Sequence, residues 1–273
     1  MRYFTLSPET RCLIYRHLVP KGVGPSDIDR YLQLYHKALS DAEAYARRIL
    51  PFSQRYDGNI TLHDAEHSVR VVENINLILD CLSVMGFRPT SKEVEILYIS
   101  GWCHDIGILL SPHRDHASCS VEIIRSHPEM IDMSVGMSRA VCSVIRSHGH
   151  GIDDVSRQSH VDGELIRLRN LCSILCIADL CDYNDYRAPM EVFELIEGKL
   201  GYVERLHWMA NMGTTITINP KTMAIIVKTD PDVDCSAVTD IFDRYIGMYL
   251  EDLGLEPSIK IIRISERIEG SVL

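Results

Sequence analysis

Leu97-Tyr98-Ile99-Ser100-Gly101-Trp102-Cys103-His104-Asp105-Ile106-Gly107 is the stretch on which the reading of this chain turns. It is an apolar run that closes on an imidazole beside a carboxylate. Upstream, Thr90-Ser91-Lys92-Glu93 places a hydroxyl three residues before a glutamate, the pattern of a capping box. The run is therefore predicted to be a helix that delivers His104 and Asp105 at its end. His67 lies 37 residues before His104, and Asp179 lies 74 residues after Asp105. Each of these four groups stands among apolar positions at helical spacing. One histidine in such a place is ordinarily a satisfied core residue. Four ionisable groups in apolar settings need a common partner, and a shared metal ion supplies one.

The helical pattern extends outward on both sides. Ser26-Asp27-Ile28-Asp29 opens a run through Tyr31, Leu34, Tyr35, Ala38, Ala42, Tyr45 and Ile49 to Pro51, so residues 1–55 are expected to form a helical lead-in. His67 starts a helix carrying Val71, Ile75, Ile78 and Leu82, which Gly86-Phe87-Arg88-Pro89 ends. Further helices are predicted over about 115–126, through Met137, Val141, Val144 and Ile145 to His148, and along Leu168, Leu171, Leu175 and Asp179. After Gly213 the period becomes two. Thr214–Ile218, a turn at Asn219-Pro220-Lys221 and Met223–Val227 read as a β-hairpin. A helix over about 236–253 and a strand over 259–264 complete a ββαβ order. The expected fold is mainly α: a helical bundle over 56–205 with a small α+β unit over 206–273, packed on it or following it.

Of the 273 residues, 46% are hydrophobic and 24% charged, enough to bury a substantial core. The net charge of −10 disfavours a broad groove for a phosphate backbone, so duplex nucleic acid is not an expected partner, while a small phosphorylated molecule is compatible. The opening Met1–Thr10 segment lacks the apolar core of a signal peptide, and no run approaches the ~18 apolar residues of a membrane span. A cytoplasmic protein without membrane partners is expected. The nine cysteines are odd in number, and Cys81, Cys103, Cys142, Cys172 and Cys176 fall in apolar helical patterns. They read as reduced core thiols. Cys172, Cys176 and Cys181 lack the usual zinc spacing and share an apolar helix, which favours packing over ligation.

Three segments carry a resemblance. Thr61-Leu62-His63-Asp64-Ala65-Glu66-His67-Ser68-Val69-Arg70-Val71 looks like the T-x-H-x-x-x-H-S-x-R-V opening of the HD superfamily of metal-dependent phosphohydrolases. His104-Asp105-Ile106-Gly107 looks like its central H-D-I-G. Ile177-Ala178-Asp179-Leu180-Cys181-Asp182, followed by Arg187, looks like its closing helix. The resemblance spans about residues 56–200 and implies a helical fold in which His67, His104, Asp105 and Asp179 hold a divalent cation. His116 and His148, in contexts similar to the HD-GYP subgroup, are implied as ligands of a second ion. That subgroup's hallmarks are not retained: Ile108 follows Gly107 where a lysine belongs, His148-Gly149-His150 splits the paired histidines, and no G-Y-P follows. In place of the acidic pair of guanosine tetraphosphate hydrolases stands Ile108-Leu109-Leu110.

The activity implied is hydrolysis of a nucleotide or other small phosphoester by metal-activated water, with one or two ions of Mn, Fe, Mg, Ni or Zn per chain. His104 and Asp105 are the expected catalytic pair, Asp105 both ligating and orienting the nucleophile. Arg70, Arg146 and Arg187 are candidate phosphate contacts, because guanidinium matches phosphate oxygens bidentately. His63, four residues before His67, and His150 are candidate substrate contacts, and Asp182 is placed to orient the site. The same six ligands would also serve an HD-fold di-iron oxygenase, and a nucleotide-binding sensor is a third alternative. The edge of the small sheet leaves a homodimer possible. No phosphate loop, nucleophile elbow or dinucleotide fingerprint offers a competing chemistry.

Overall fold

Residues 91–103 form the helix around which the others are laid. In the computed structural model this helix, α2 (Ser91–Cys103), touches α1 (Ala65–Val84), α4 (Val135–His150) and α5 (Leu168–Leu180). The described residues are 61, 63, 65–109, 115–126, 131, 133–184, 186–219, 222–230, 245–255 and 259–263. The expected lead-in helix and the first part of the expected 236–253 helix lie outside them.

The apolar pattern of α2 has no polar face because the helix is enclosed: every residue from Val94 to Cys103 except Glu95 is buried. Its start is the capping box expected from sequence. Thr90 Oγ1 accepts from Glu93 N, and Glu93 Oε2 accepts from Thr90 N. The buried Glu93 carboxylate also takes the Arg167 backbone N–H and guanidinium, tying the N-terminus of α2 to that of α5. Burial of this charge is tolerable because it is fully hydrogen-bonded.

The remaining helices bury one stripe each. On α1, Val71, Ile75, Ile78 and Leu82 turn inward, and Ile75 reaches Gly101 of α2 so closely that an added Cβ would lie 2.9 Å from Ile75 Cδ1. A 3-10 turn, Ile106–Leu109, leads from α2 to the region of α3 (His116–Ser126). There Gly107 meets backbone: a Cβ would run into the carbonyl oxygen of His116 and the amide of Ser120. Ser120 Oγ accepts from Gly107 N at 2.8 Å and donates to the His104 carbonyl at 2.6 Å, which fixes this corner.

A short hairpin, β1 (Ser159–Val161) and β2 (Glu164–Ile166), joins α4 to α5 across Asp162-Gly163, both at positive φ (49° and 84°). After α5 come α6 (Met190–Ile196) and α7 (Tyr202–Met212), which share a small core of Ala188, Phe193, Leu200 and Trp208. The chain then forms β3 (Thr214–Ile218) and β4 (Ile225–Thr229), paired antiparallel with Ile216 opposite Val227. Helix α8 (Gly247–Asp252) follows, and β5 (Ile259–Arg263) pairs parallel with β4. The ββαβ order is as expected. The second strand begins two residues later than predicted because Met223 and Ala224 belong to the turn: Met223 N–H donates to Asn219 O, and Asn219 N–H to Ala224 O. Ile216, Ile218, Ile225 and Val227 share one core with the helices, and Tyr249 and Leu250 of α8 join it, α8 lying against α5. No described helix is long and apolar enough to cross a membrane.

Candidate metal centre

Five helix ends meet at one point of this bundle. His67 comes from the first turn of α1, and His104 caps the C-terminus of α2, with Asp105 next to it. His116 is the first residue of α3, His148 lies in the last turn of α4, and Asp179 in the last turn of α5. The packing of the helices thus fixes six ionisable side chains drawn from five separate stretches of sequence. They form two groups, His67, His104 and Asp179 beside Asp105, His116 and His148.

The imidazoles are oriented by their outer nitrogens. His67 Nδ1 lies 2.6 Å from Asp182 Oδ2, His104 Nδ1 2.9 Å from Gly101 O, and His148 Nδ1 2.5 Å from Ile145 O. Carboxylate and carbonyl oxygens only accept, so each Nδ1 carries the proton. In the neutral imidazole each Nε2 then turns a lone pair inward. Those lone pairs converge: His67 and His104 Nε2 are 3.1 Å apart, and His116 and His148 Nε2 are 3.0 Å apart. Asp105 stands between the pairs. Its Oδ2 is 3.2 Å from Nε2 of both His67 and His104, and its Oδ1 is 3.4 Å from Nε2 of both His116 and His148. Asp179 Oδ1 lies 3.3 Å from His67 Nε2.

Such an arrangement of lone pairs repels itself unless positive charge lies among them. Asp105 Oδ2 and Asp179 Oδ1 are buried oxygens without a hydrogen bond. Ligands ~2.1 Å from an ion and at right angles to one another lie ~3.0 Å apart, close to the separations here. The donor set of imidazole and carboxylate suits a divalent transition metal or zinc. The electrostatics agree. Burial alone would raise the carboxyls of Asp105 and Asp179, yet the facing imidazoles, with Arg187 for Asp179, hold both well below the usual carboxylate range. Burial and Arg187 oppose charge on His67, but Asp105, Asp179 and Asp182 lift its pKa to about 9. Against the same burial, Asp105 and Asp179 lift His104 to about 10. The cluster demands cations, and a metal ion meets that demand with neutral imidazoles. Buried His and Asp groups that can hold a metal ion are therefore a property of this structure.

Beside the cluster opens a cavity of about 300 Å³, bordered by Thr61, His63, Asp179, Tyr183 and Arg187 and, from α7, by Glu204, His207 and Asn211. Arg187 Nη2 donates to His63 Nε2 at 2.7 Å, and Arg187 Nη1 lies 3.8 Å from Asp179 Oδ1. His63 Nδ1 in turn donates to Thr61 O at 2.5 Å. Burial and the Arg187 charge push the pKa of His63 down to about 3, so it stays neutral and accepts from the guanidinium. Arg187 Nε is buried with no hydrogen-bond partner.

The structure therefore brings His67, His104, Asp105, His116, His148 and Asp179 together and sets His63 and Arg187 in the adjoining cavity. It places the other expected substrate contacts elsewhere. Arg70 donates from Nε and Nη2 to Asp182 at 2.7 and 3.0 Å, so this guanidinium buttresses the carboxylate behind His67. Arg146 is exposed on α4, on a different face from His148. His150 is exposed and bound to Asp115 at 2.5 Å and Ser118 at 3.1 Å. Sequence reasoning missed Glu204, His207 and Asn211. Their i, i+3, i+7 spacing was the available signal. The cysteines among the described residues are free thiols, and burial pushes Cys103, Cys172 and Cys176 up to about 12, as expected of packing groups rather than thiolate ligands.

Comparison with known proteins adds the family. The model of the HD-CE family matches residues 52–251. No curated protein matches the chain.

Proposed function

Because the chain belongs to the HD-CE family, and because its six converging ligands adjoin an arginine-lined cavity, we propose that it is a metal-dependent phosphohydrolase of small phosphoesters. The observation that carries this reading is Asp105, whose two oxygens face one histidine pair each. A carboxylate so placed joins two ion sites. In this reading His67, His104, Asp105 and Asp179 hold one ion, and Asp105, His116 and His148 a second. Bound there, divalent cations supply Lewis acidity toward a phosphoryl oxygen and lower the pKa of water.

The chain's own residues do the rest. Asp182 takes the Nδ1 proton of His67 and, held by Arg70, keeps that ring in one orientation and tautomer. Arg187 lines the cavity and lies 3.8 Å from Asp179 Oδ1 through Nη1, which sets a positive charge suited to a phosphate beside the cluster. His63, held neutral, accepts from Arg187 and fixes the plane of that guanidinium. Asp105, buried and hydrogen-bonded by no side chain at Oδ2, is the oxygen best placed to orient a nucleophilic water.

The test is metal analysis of protein purified without chelator, followed by a panel of phosphoesters. Release of phosphate that chelators abolish, and that His104→Ala and Asp105→Ala lack, supports the reading. Full activity in His104→Ala overturns it. Failure of every phosphoester, with oxygen uptake by iron-loaded protein, assigns the same cluster to a di-iron oxygenase.

A further inference from the structure

The two halves of the cluster are held differently. The outer nitrogens of His67, His104 and His148 each have an oxygen partner. Among the described residues, no hydrogen bond reaches Nδ1 of His116, whose side chain is 33% exposed against 3% for His148. The place of His116 therefore rests on its backbone. It is the first residue of α3, and His148 lies in the last turn of α4, so this half of the cluster depends on how those two helix ends meet.

Two contacts govern the meeting. Gly149 faces Ala117, and an added Cβ would lie 2.8 Å from the Ala117 methyl. Glycine inside a helix costs about 1 kcal/mol relative to alanine, and here it permits α4 to come this close to α3. One residue on, His150 Nε2 donates to Asp115 Oδ2 at 2.5 Å and lies 3.1 Å from Ser118 Oγ. Asp115 is itself fixed, because its Oδ1 caps α3 by accepting from Ser118 N at 2.9 Å. His116 follows Asp115 directly, and His148 precedes His150 by two residues. Within this frame the His116 and His148 Nε2 atoms stand 3.0 Å apart. An exposed carboxylate–imidazole pair ordinarily contributes little. This one, with His150 40% and Asp115 41% exposed, has both carboxylate oxygens engaged and closes an approach that Gly149 already allows.

We propose that Asp115 and His150 are positioning residues: they clasp the start of α3 to the end of α4 and so set the affinity of the second ion. They do not ligate it. The Nε2 of His150 is turned to Asp115, and His150 stands outside the two groups of converging ligands. The inference rests on the two-ion reading above and gives the exposed pair its role there. The first ion is independent of the clasp, since Asp182 and Gly101 orient His67 and His104.

Calorimetric titration of the chelator-stripped full chain with Mn(II) resolves the two equivalents. Asp115→Ser keeps a helix cap but does not reach His150, and His150→Ala removes the donor. Each is expected to weaken the second equivalent about fivefold and the first less than about twofold. Because the pair acts as a unit, the double variant should also stay near fivefold, whereas independent effects would multiply to about 25-fold. His150→Gln, whose amide still donates to Asp115, should lie within about twofold of wild type. A merely structural contact would lower the melting temperature of the metal-free variants and leave the ratio of the two affinities unchanged. That result, or multiplied effects in the double variant, overturns the proposal. Complete loss of the second equivalent in His150→Ala would make His150 a ligand and overturns it too. Phosphate release is scored separately. Two ions and the expected shifts without release from any phosphoester overturn the hydrolase reading and retain the clasp, whereas release with variants indifferent in metal affinity does the reverse. A wild type that binds a single ion overturns the two-ion arrangement and the clasp together.

Discussion

Asp182 Oδ2 accepts the Nδ1 proton of His67 at 2.6 Å, across 115 residues of sequence. The same carboxylate takes Arg70 through both oxygens and Asn184 Nδ2 at 2.7 Å. A charge held by so many donors is rigid, and its partner imidazole is rigid with it. Asp182→Ala should therefore weaken metal binding by about 10–100-fold while leaving every proposed ligand in place. Asp182→Asn keeps an oxygen for His67 and should fall between the two. Competition of each variant with a chromogenic chelator measures this. Wild-type affinity in Asp182→Ala would show that the helices alone fix His67.

The two faces of Asp105 lead to a stoichiometric prediction. His116 and His148 contact only its Oδ1 side, whereas His67 and His104 contact Oδ2. His116→Ala and His148→Ala should each lower bound metal by about one equivalent per chain and retain the other. His104→Ala, from the buried group, should lose the tighter ion and all turnover. Elemental analysis after gel filtration reads the outcome. Unchanged stoichiometry in both His116→Ala and His148→Ala would leave one ion shared by the whole cluster.

Gly107 couples stability to the site. A methyl group there meets the His116 carbonyl and the Ser120 amide, backbone atoms that no rotamer change can move. Gly107→Ala should cost about 3 kcal/mol and displace His116. Gly101→Ala meets the flexible end of Ile75 instead and should cost about 1 kcal/mol. Urea denaturation of the two variants compares them directly, and equal costs would refute the distinction.

What could be read from sequence followed how local the cause was. The capping box of α2 lies within four residues, and the apolar periods of α1, α4 and α5 are repeated over several turns, so these helices and the residues they carry were legible. Strand β4 was misplaced by two residues because the turn is set by the Asn219 hydrogen bonds, not by hydrophobic alternation. The β1–β2 hairpin passed unnoticed: three-residue strands show little alternation, although Asp162-Gly163 is a strong turn signal. Arg70 looked like a phosphate contact because its partner, Asp182, is 112 residues away. Glu204, His207 and Asn211 join Arg187 at the cavity only through the tertiary fold, which no local pattern announces.

Metal removal should be visible in the fold itself. The six proposed ligands come from five helix ends, so an ion among them links α1, α2, α3, α4 and α5. An ion that binds the native state alone stabilises it by RT ln(1 + [L]/Kd), about 2.7 kcal/mol at a hundredfold excess over Kd. For a chain of this size that amounts to a rise in Tm of roughly 5–10 °C. Chelated protein should melt lower by this amount, and readdition of Mn, Fe, Ni or Zn should restore it in proportion to the logarithm of free metal. His104→Ala and Asp105→Ala should lose most of the metal-dependent increment, because each removes a proposed ligand. Calorimetric scans with and without chelator measure the increment. An identical Tm in both, for protein shown to bind metal, would mean that the ion binds the unfolded chain as tightly as the native one.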